Sequence, residues 1–302
     1  MTENNAHSQK ISVVIPAKNE EASIGRIIKT IQDSANVTEI LVVDDGSTDK
    51  TASYALEAGA RVISRPYSSG NGSAIKTGTR HALGDILVFM DADGQHNPKD
   101  IPRMLENLNR GFDMAVGARR NGSQANFGRG AANWIYNRLA SYMTGHDIYD
   151  LTSGFRAAHA AKFREFLHLL PNGFSYPTTI TMAFFRAGFT ITYVPISADQ
   201  RTGRSHIRPI RDGLRFLLII FKVATLYSPL KIFAPTSAGL FCLGVGYYAY
   251  TYITQGRFTN MSALMLTTAI LAFLIGLVSE QITQLMYKDT DQANIQSGNH
   301  GR

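Results

Sequence analysis

The sequence predicts an α/β domain with a mainly parallel sheet and helices on both faces. An amphipathic interface helix and a two-helix transmembrane hairpin follow it. Three observations point there. The first 200 residues alternate short apolar runs with segments of helical spacing. Two long uncharged runs lie near the C-terminus. The excess positive charge sits between these regions.

Each element has its own signal. Ile11 to Ile15 is an apolar run that ends at Pro16. Glu20 to Asp33 places Ile24, Ile27, Ile28 and Ile31 on one helical face. Glu39 to Val43 reads as a second strand, ending in Asp44-Asp45-Gly46. Thr48 to Ala58 is a helix, Arg61 to Ser64 a third strand and Ser73 to Leu83 another helix. Asp85 to Met90 is a fourth strand, ending in Asp91-Ala92-Asp93. Pro98 to Asn109 is a helix with proline in its first turn, and Asp113 to Val116 a fifth strand. Such alternation makes parallel sheets, and their ligands bind at the carboxyl ends of the strands. The acidic motifs fall at two of those ends.

Ile232 to Ile253 and Met261 to Ser279 carry no charge over 22 and 19 residues. A spanning helix needs about 20 apolar residues, and soluble helices seldom lack a polar face for that long. The short linker Thr254 to Asn260 makes the pair a hairpin. Its only charge is Arg257, whereas the flanks are basic, so the positive-inside rule puts both chain ends in the cytoplasm. Met1 to Lys10 is polar, which argues against a cleaved signal peptide. Cys242, the single cysteine, rules out a disulfide scaffold and reads as a small packing residue in the first span.

The chain has 302 residues, 44% of them hydrophobic, which excludes disorder as its main state. Its net charge is +7, from 30 basic and 23 acidic residues. Residues 1 to 200 hold 20 basic and 19 acidic side chains; residues 201 to 231 hold 7 and 1. Within that segment Arg204, Arg208, Arg211, Arg215 and Lys222 fall within about 60° of one another on a helix. Ile207, Ile210, Leu214, Leu217 and Phe221 occupy another sector. An amphipathic helix in the membrane interface fits this pattern, against an ordinary surface helix. No basic-aromatic motif accompanies the charge, so the expected partner is the lipid bilayer and not nucleic acid.

Four motifs carry chemistry. Asp91-Ala-Asp93-Gly-Gln95-His96 places two carboxylates at a buried strand's end, a pattern suited to Mg²⁺ or Mn²⁺ shared with substrate phosphates. A plain acidic turn is the alternative. Asp44-Asp-Gly-Ser-Thr-Asp49 can bind a ribose or base, or serve as a turn in which Asp49 supports the next helix N-terminus. Pro16-Ala-Lys-Asn19-Glu20-Glu21 is a nucleotide contact or a helix start capped by Asn19. Gly70-Asn-Gly72 precedes a helix and allows close backbone approach to an anion. Arg119, Arg120 and Arg129 follow the fifth strand, where arginine forks suit phosphate. Trp134, Ile135, Tyr136, Leu139 and Tyr142 follow at near-helical spacing and read as core, with lipid contact as the weaker alternative.

In this order the motifs resemble a family 2 glycosyltransferase of GT-A fold, a Rossmann-like architecture. Leu151-Thr-Ser-Gly-Phe-Arg156, Gln200-Arg-Thr-Gly-Arg-Ser205 and the hairpin are similar to polyprenyl-phosphate glycosyltransferases of the dolichyl-phosphate mannose synthase type. The resemblance covers roughly residues 10 to 286 and implies a nucleotide-sugar donor, a polyprenyl phosphate acceptor and Mg²⁺ or Mn²⁺. It implies that Pro16, Glu20, Asp44 and Asp91 surround the nucleotide sugar. Asp93 and Gln95 would ligate the metal, and Arg201 or Arg204 would reach the diphosphate. Arg119, Arg129, Asn133 and Arg156 would hold the acceptor phosphate, with Asp91, Asp93, Arg119 and Arg129 as the catalytic set. Where the family's loop often has lysine after Gly-x-Ser, this chain has His206.

The implied organisation is a disordered tail (1–9), a cytoplasmic GT-A catalytic domain (10–203), an amphipathic juxtamembrane helix (204–229), the hairpin (230–286) and a polar tail (287–302), disordered from Asp289 on. The expected reaction is inverting hexose transfer from a UDP-glucose or GDP-mannose class donor. A processive polysaccharide synthase is a weaker reading, because the only tryptophan, Trp134, lies far from Gln200-Arg201 and no Gln-x-x-Arg-Trp motif exists. A non-catalytic membrane scaffold would not need intact Asp91, Asp93 and Gln95. Small residues Gly239, Gly244 and Gly246 permit packing against a second hairpin, so a homo-oligomer stays open.

Overall fold

The structure, a computed structural model, describes residues 9–119, 127–173, 175–196, 225 and 227–298, with backbone alone at 127–133 and 287–298. The chain forms two compact units, Met1–Arg138 with His146–Asp212, and Leu139–Gly145 with Gly213–Arg302.

In the first unit the sheet strands are β1 (Ile11–Ala17), β2 (Glu39–Asp44), β3 (Arg61–Ser64), β4 (Ile86–Phe89), β5 (Met114–Arg119), β6 (Arg156–His159) and β7 (Ile191–Ile196). Their order is β3-β2-β1-β4-β6-β5-β7. Every pairing is parallel except those of β6, which runs antiparallel to both β4 and β5. The helices are α1 (Ile24–Ser34), α2 (Thr51–Glu57), α3 (Asn71–His81), α4 (Ile101–Asn109), α5 (Phe127–Thr144), α6 (Ala160–Glu165) and α7 (Tyr176–Arg186). The last turns of α5 group with the second unit.

The five predicted strands are present. The isoleucine face of α1 is buried against Val13, Ile15 and Val42, as its spacing predicts. Strands β6 and β7 lie beyond the sequence reading. The β6 segment, Arg-Ala-Ala-His, has no β-branched residue, so only its place between two buried strands makes it a strand. The chain builds β1, β2 and β3 to one side and then returns to place β4 on the other side of β1. That reversal opens a crevice at the carboxyl ends of β1 and β4, where ligands bind in open α/β sheets.

The second unit contains α8 (Leu230–Gln255) and α9 (Asn260–Gly298), both long and apolar enough to cross a membrane. Gly256, in the left-handed conformation at φ 63°, ends α8. A Cβ on Gly276 would come within 2.4 Å of Phe233, so glycine sets how closely the helices approach. Glu280 accepts from Ser228 Oγ at 3.0 Å and from the Leu230 backbone N–H at 3.2 Å, satisfying an orphan donor at the start of α8.

Four expectations need correction here. Gly244 packs against Leu266 within the hairpin, so it is not free to receive a second copy. Cys242 is exposed on the helix surface and does not pack inside. Trp134, Ile135 and Tyr142 are exposed, so the core expected from the α5 spacing holds for Tyr136 but not for them. The tail expected to be disordered from Asp289 on is helical as far as Gly298. Extending an existing helix needs no new nucleus, and this stretch has no proline and no glycine before Gly298. The amphipathic segment, apart from 225 and 227–229, lies outside the described residues, as do Arg120, Arg201 and Arg204.

Candidate active site

The crevice between β1 and β4 is a cleft of about 370 Å³. Pro16, Glu20, Asp45, Asn71, Asp91 and Asp93 are among its lining residues. Pro16 belongs to β1 itself. Glu20 sits in the turn before α1, its backbone N–H held by Thr51 Oγ1 at 2.8 Å. Asn19 does not cap α1. In the left-handed conformation at φ 55°, its side-chain oxygen takes the Thr48 N–H at 2.8 Å and ties the first motif to the second. Asp49 does support α2, accepting from the Thr51 N–H at 3.0 Å.

The second motif offers Asp45, and not Asp44, to the cleft. Asp44 is 5% exposed and turned into its own loop, accepting from the Ser47 N–H at 3.0 Å. Asp45 takes four donors: the Ser69 and Gly70 N–H groups, Ser68 Oγ and Arg65 Nη1. Burial alone would push its carboxyl up, but these donors hold it below the usual carboxylate range. Asp45 therefore shapes the 65–70 loop that forms one wall.

The glycines of the fourth motif are also committed. A Cβ on Gly72 would lie 2.1 Å from the Pro171 carbonyl oxygen. The N–H groups of Gly72 and Ser73, at the start of α3, are taken by the carbonyls of Gly173 and Asn172 at 3.2 and 2.8 Å. The backbone that approaches these glycines is the chain's own, not an anion. Lys76 Nζ donates to Leu170 O and Asn172 Oδ1, fixing the same segment. What α3 contributes to the cleft is Asn71, whose amide beside Asp91 favours the charged carboxylate.

Asp91 and Asp93 face the cleft immediately beyond β4. Burial raises the Asp91 carboxyl above its ordinary value, and the neighbouring Asp93 charge adds to this. His96, Asn71 and Arg156 act in the opposite direction. Asp93 Oδ1 accepts the Gln95 N–H at 3.1 Å, which folds the motif into a turn. His96 is buried, stacked on Phe155 at 5.3 Å between centroids, and its Nδ1 has no partner among the described residues. Gly154 lies against Asp91, where an added Cβ would fall 2.6 Å from Oδ2. Among the described residues no cluster of three acidic, histidine or cysteine side chains is set to hold a metal. The set present is two carboxylates plus the Gln95 amide. That suits a hard cation that completes its shell with substrate oxygens.

Arg156 stands opposite Phe89 on one side and Val116 on the other, beneath this acidic turn. It is 0% exposed. Its guanidinium donates to Pro177 O at 3.0 Å, to Thr181 Oγ1 at 3.2 Å and to Ser153 O. The expected contact with an acceptor phosphate is therefore corrected: the group is enclosed by strands and carbonyls, with no face on the cleft. Burial pulls its pKa down; Tyr176, Tyr193, Asp150 and Asp91 counter that.

Arg119 ends β5 and forms a two-pronged pair with Asp150, Nε to Oδ2 at 2.8 Å and Nη2 to Oδ1 at 3.0 Å. Thr152 Oγ1 accepts from the same Nη2 at 2.7 Å. Burial would raise the Asp150 carboxyl, but Arg119 and the Thr152 N–H hold it low. Arg129 and Asn133 lie on α5, and their side chains are outside the described residues.

An open α/β sheet with a cleft and an acidic pair at its switch point is shared by many proteins, and similarity to known sequences narrows it. The profile of the domain named Glycosyl transferase family 2 matches residues 12–167, just over half of the chain. The chain belongs to glycosyl transferase family 2. Residues 228–285 match a second profile, the GtrB C-terminal hairpin. Glycosyltransferase AglJ of Haloferax volcanii is 28% identical over 91% of this chain and 94% of its own length. An undecaprenyl-phosphate mannosyltransferase of Micrococcus luteus is 32% identical over 64% of this chain and 84% of its own. Among solved structures, glucosyl-3-phosphoglycerate synthase from Mycobacterium tuberculosis, in complex with Mn²⁺, UDP and glucosyl-3-phosphoglycerate, aligns with a TM-score of 0.58. That alignment has 26% identity and covers 72% of this chain and 78% of that one.

Within the family 2 domain, sequence reasoning missed three residues of the site. Asn71 was hidden among glycines. Gly154 and Asp45 carry no signal of their own, because their roles depend on which backbone or carboxylate faces them.

Proposed function

We propose that this family 2 glycosyltransferase transfers a hexose from a nucleotide sugar to a polyprenyl phosphate, with inversion, at the cytoplasmic membrane face. One observation carries the reading. The chain joins an acidic switch-point cleft to a hairpin of the GtrB type, so it couples a donor site to a membrane. The name of the Micrococcus relative supports a polyprenyl phosphate acceptor, and the Mn²⁺ and UDP in the mycobacterial complex support a metal and a nucleotide donor.

In this reading Pro16, Glu20 and the loop ordered by Asp45 seat the nucleoside, and Asp91 orients the sugar side. Asp93 and Gln95, with Asp91 nearby, would hold Mg²⁺ or Mn²⁺. A divalent cation there supplies charge neutralisation for the departing nucleoside diphosphate. An oxygen of the acceptor phosphate attacks the anomeric carbon, forming the new C–O bond. The C–O bond to the nucleoside diphosphate breaks on the opposite face, and that group leaves with the electron pair. The acceptor phosphate is already anionic, so positioning and charge do the catalytic work and no proton need be removed. Asp150 agrees with this: both of its oxygens are engaged by Arg119 and Thr152, so it orients Arg119 and is not placed as a base. Arg119 and Arg129 with Asn133 would receive the acceptor phosphate, and Arg201 or Arg204 the donor diphosphate.

Purified full-length protein incubated with radiolabelled UDP-glucose or GDP-mannose, polyprenyl phosphate and Mg²⁺ or Mn²⁺ tests the reading. Label entering the organic phase supports it. A polymer would instead indicate a processive synthase, and no turnover with any donor a scaffold. Asp93→Ala should abolish transfer at saturating metal; full activity in that variant removes the metal assignment.

A further inference from the structure

Ser23 stands at the N-cap position of α1 and does not cap it. A serine there ordinarily accepts an N–H from the helix's first turn, which stabilises the helix. Here the hydroxyl turns to a segment 69 residues away, donating to the Ala92 carbonyl oxygen at 2.6 Å. Both residues are buried. Glu20 Oε2 at 3.2 Å and Glu20 O at 3.3 Å are also within reach. One hydroxyl carries one proton, and the shortest contact takes it. A helix cap is given up for a distant contact, and such breaches of local preference concentrate at functional sites.

That contact falls between Asp91 and Asp93. The Ala92 carbonyl belongs to the planar peptide that joins Ala92 to Asp93, so fixing its oxygen fixes the direction in which Asp93 leaves the chain. The sheet does not do this. Strand β4 ends at Phe89, and the last backbone bond to β1 runs from the Met90 N–H to Val14 O at 3.2 Å. Among the described residues, the bond from Ser23 is the one hydrogen bond that ties the main chain of residues 91–95 to another segment. The bond from the Gln95 N–H to Asp93 Oδ1 is internal to the turn, and Gly94 makes its corner at φ 75°. The segment that carries Ser23 is itself held. Thr51 Oγ1 takes the Glu20 N–H at 2.8 Å, Asp49 Oδ2 the Glu21 N–H at 3.3 Å, and Glu21 Oε2 the Lys50 N–H at 3.0 Å. Ser23 thus fastens a loose acidic turn to a segment that is already anchored.

We propose that Ser23 is a positioning residue for the divalent cation, setting the orientation of Asp93 through the Ala92 carbonyl. The proposal rests on the reading of Asp93 and Gln95 as metal ligands. Ser23 touches neither the cation nor the donor; it fixes the peptide that carries a ligand. Removing an outer partner that orients a metal ligand typically costs about 10- to 100-fold in metal affinity or activity. Ser23 acts one peptide unit from the carboxylate, so the lower end, about tenfold, is expected.

Full-length protein is titrated with Mn²⁺ in the presence of UDP or GDP, whichever the wild type binds, and free Mn²⁺ is read by electron paramagnetic resonance. Ser23→Ala should raise the Mn²⁺ dissociation constant about tenfold, and half-maximal transfer should need correspondingly more Mn²⁺. Ser23→Thr keeps the hydroxyl and should stay close to wild type. Thr30→Ala removes another hydroxyl of α1, one that donates to Arg26 O of its own helix at 2.8 Å, and should leave Mn²⁺ affinity unchanged. Thermal unfolding confirms that each variant is folded. Should Ser23→Ala not fold, Ser23→Cys, similar in shape with only a weak donor, takes its place. Wild-type Mn²⁺ affinity in the folded variant overturns the proposal. Equal weakening in Ser23→Thr also overturns it, because the hydroxyl would not be the cause. Equal weakening in Thr30→Ala does the same, because it would mark a general loosening of α1. If the wild type binds no Mn²⁺ with either nucleotide, the metal reading itself fails, and the proposal with it.

Discussion

Gly154→Ala isolates the geometry of the acidic pair. Gly154 does not adopt a left-handed backbone, so alanine is tolerated by the main chain itself. The added Cβ would lie 2.6 Å from Asp91 Oδ2 and 3.2 Å from both Cγ and Oδ1. An ordinary contact begins near 3.4 Å, so the carboxylate must retreat by about 0.8 Å. Functional groups tolerate about 0.5 Å of displacement, and a misplacement of about 1 Å can cost roughly 100-fold in rate. A loss of 10- to 100-fold in kcat/KM is therefore expected, about 1.4 to 2.7 kcal/mol of transition-state stabilisation. Stability should change little, because the neighbour that moves is a side chain. Steady-state transfer kinetics and thermal unfolding measured on the same preparation check both halves. Gly173→Ala is the control, since a Cβ there meets nothing within 4 Å. Unimpaired transfer by Gly154→Ala would refute the claim that Asp91 must sit where the structure holds it.

Gly72→Ala behaves differently, because its new Cβ meets backbone oxygens at 2.1 and 2.9 Å that cannot rotate away. Overpacking of about 1–3 kcal/mol should outweigh the ~1 kcal/mol gained in helix propensity, and the melting temperature should fall by several degrees. Asp150→Asn leaves Arg119 unclamped and should cost about 1–3 kcal/mol by chemical denaturation, less than a fully buried pair because Arg119 is partly exposed. The folded Asp150 carboxyl lies below its unfolded value, so its contribution is complete above about pH 4 and is lost as pH falls through the folded value. Wild type should therefore lose stability more steeply than Asp150→Asn on acidification below about pH 4. Arg156→Met takes the guanidinium from the Ser153 carbonyl and from Thr181 Oγ1 and removes the cation beneath Asp91, and should destabilise by about 3 kcal/mol in the same assay. A stable Arg156→Met that also keeps its donor KM would show that this arginine supports nothing in the cleft.

Much of the architecture was legible because it is written in local patterns. Apolar runs and the isoleucine face of α1 specify strands and a helix by period alone, and uncharged stretches of 22 and 19 residues specify the hairpin. The Asp91-Ala-Asp93 turn was legible for a related reason: it follows a strand directly, so position in sequence fixes position at the sheet edge. Period alone did not reveal β6, a run of arginine, two alanines and histidine held as a strand by the neighbours on each side.

By itself the sequence determined the order of elements, the membrane hairpin and the acidic pair at a strand end. Only the tertiary structure decided which charges and glycines face the cleft. It turned Asp44 into its own loop and put Asp45 on the cleft wall, enclosed Arg156 beneath the sheet's end, and filled the Gly70–Gly72 turn with the chain's own 171–173 backbone. The physical reason is that local propensity depends on neighbours in sequence. A donor's partner, a carboxylate's charge state and the space beside a glycine depend on residues 20 to 100 positions away, brought close only by folding.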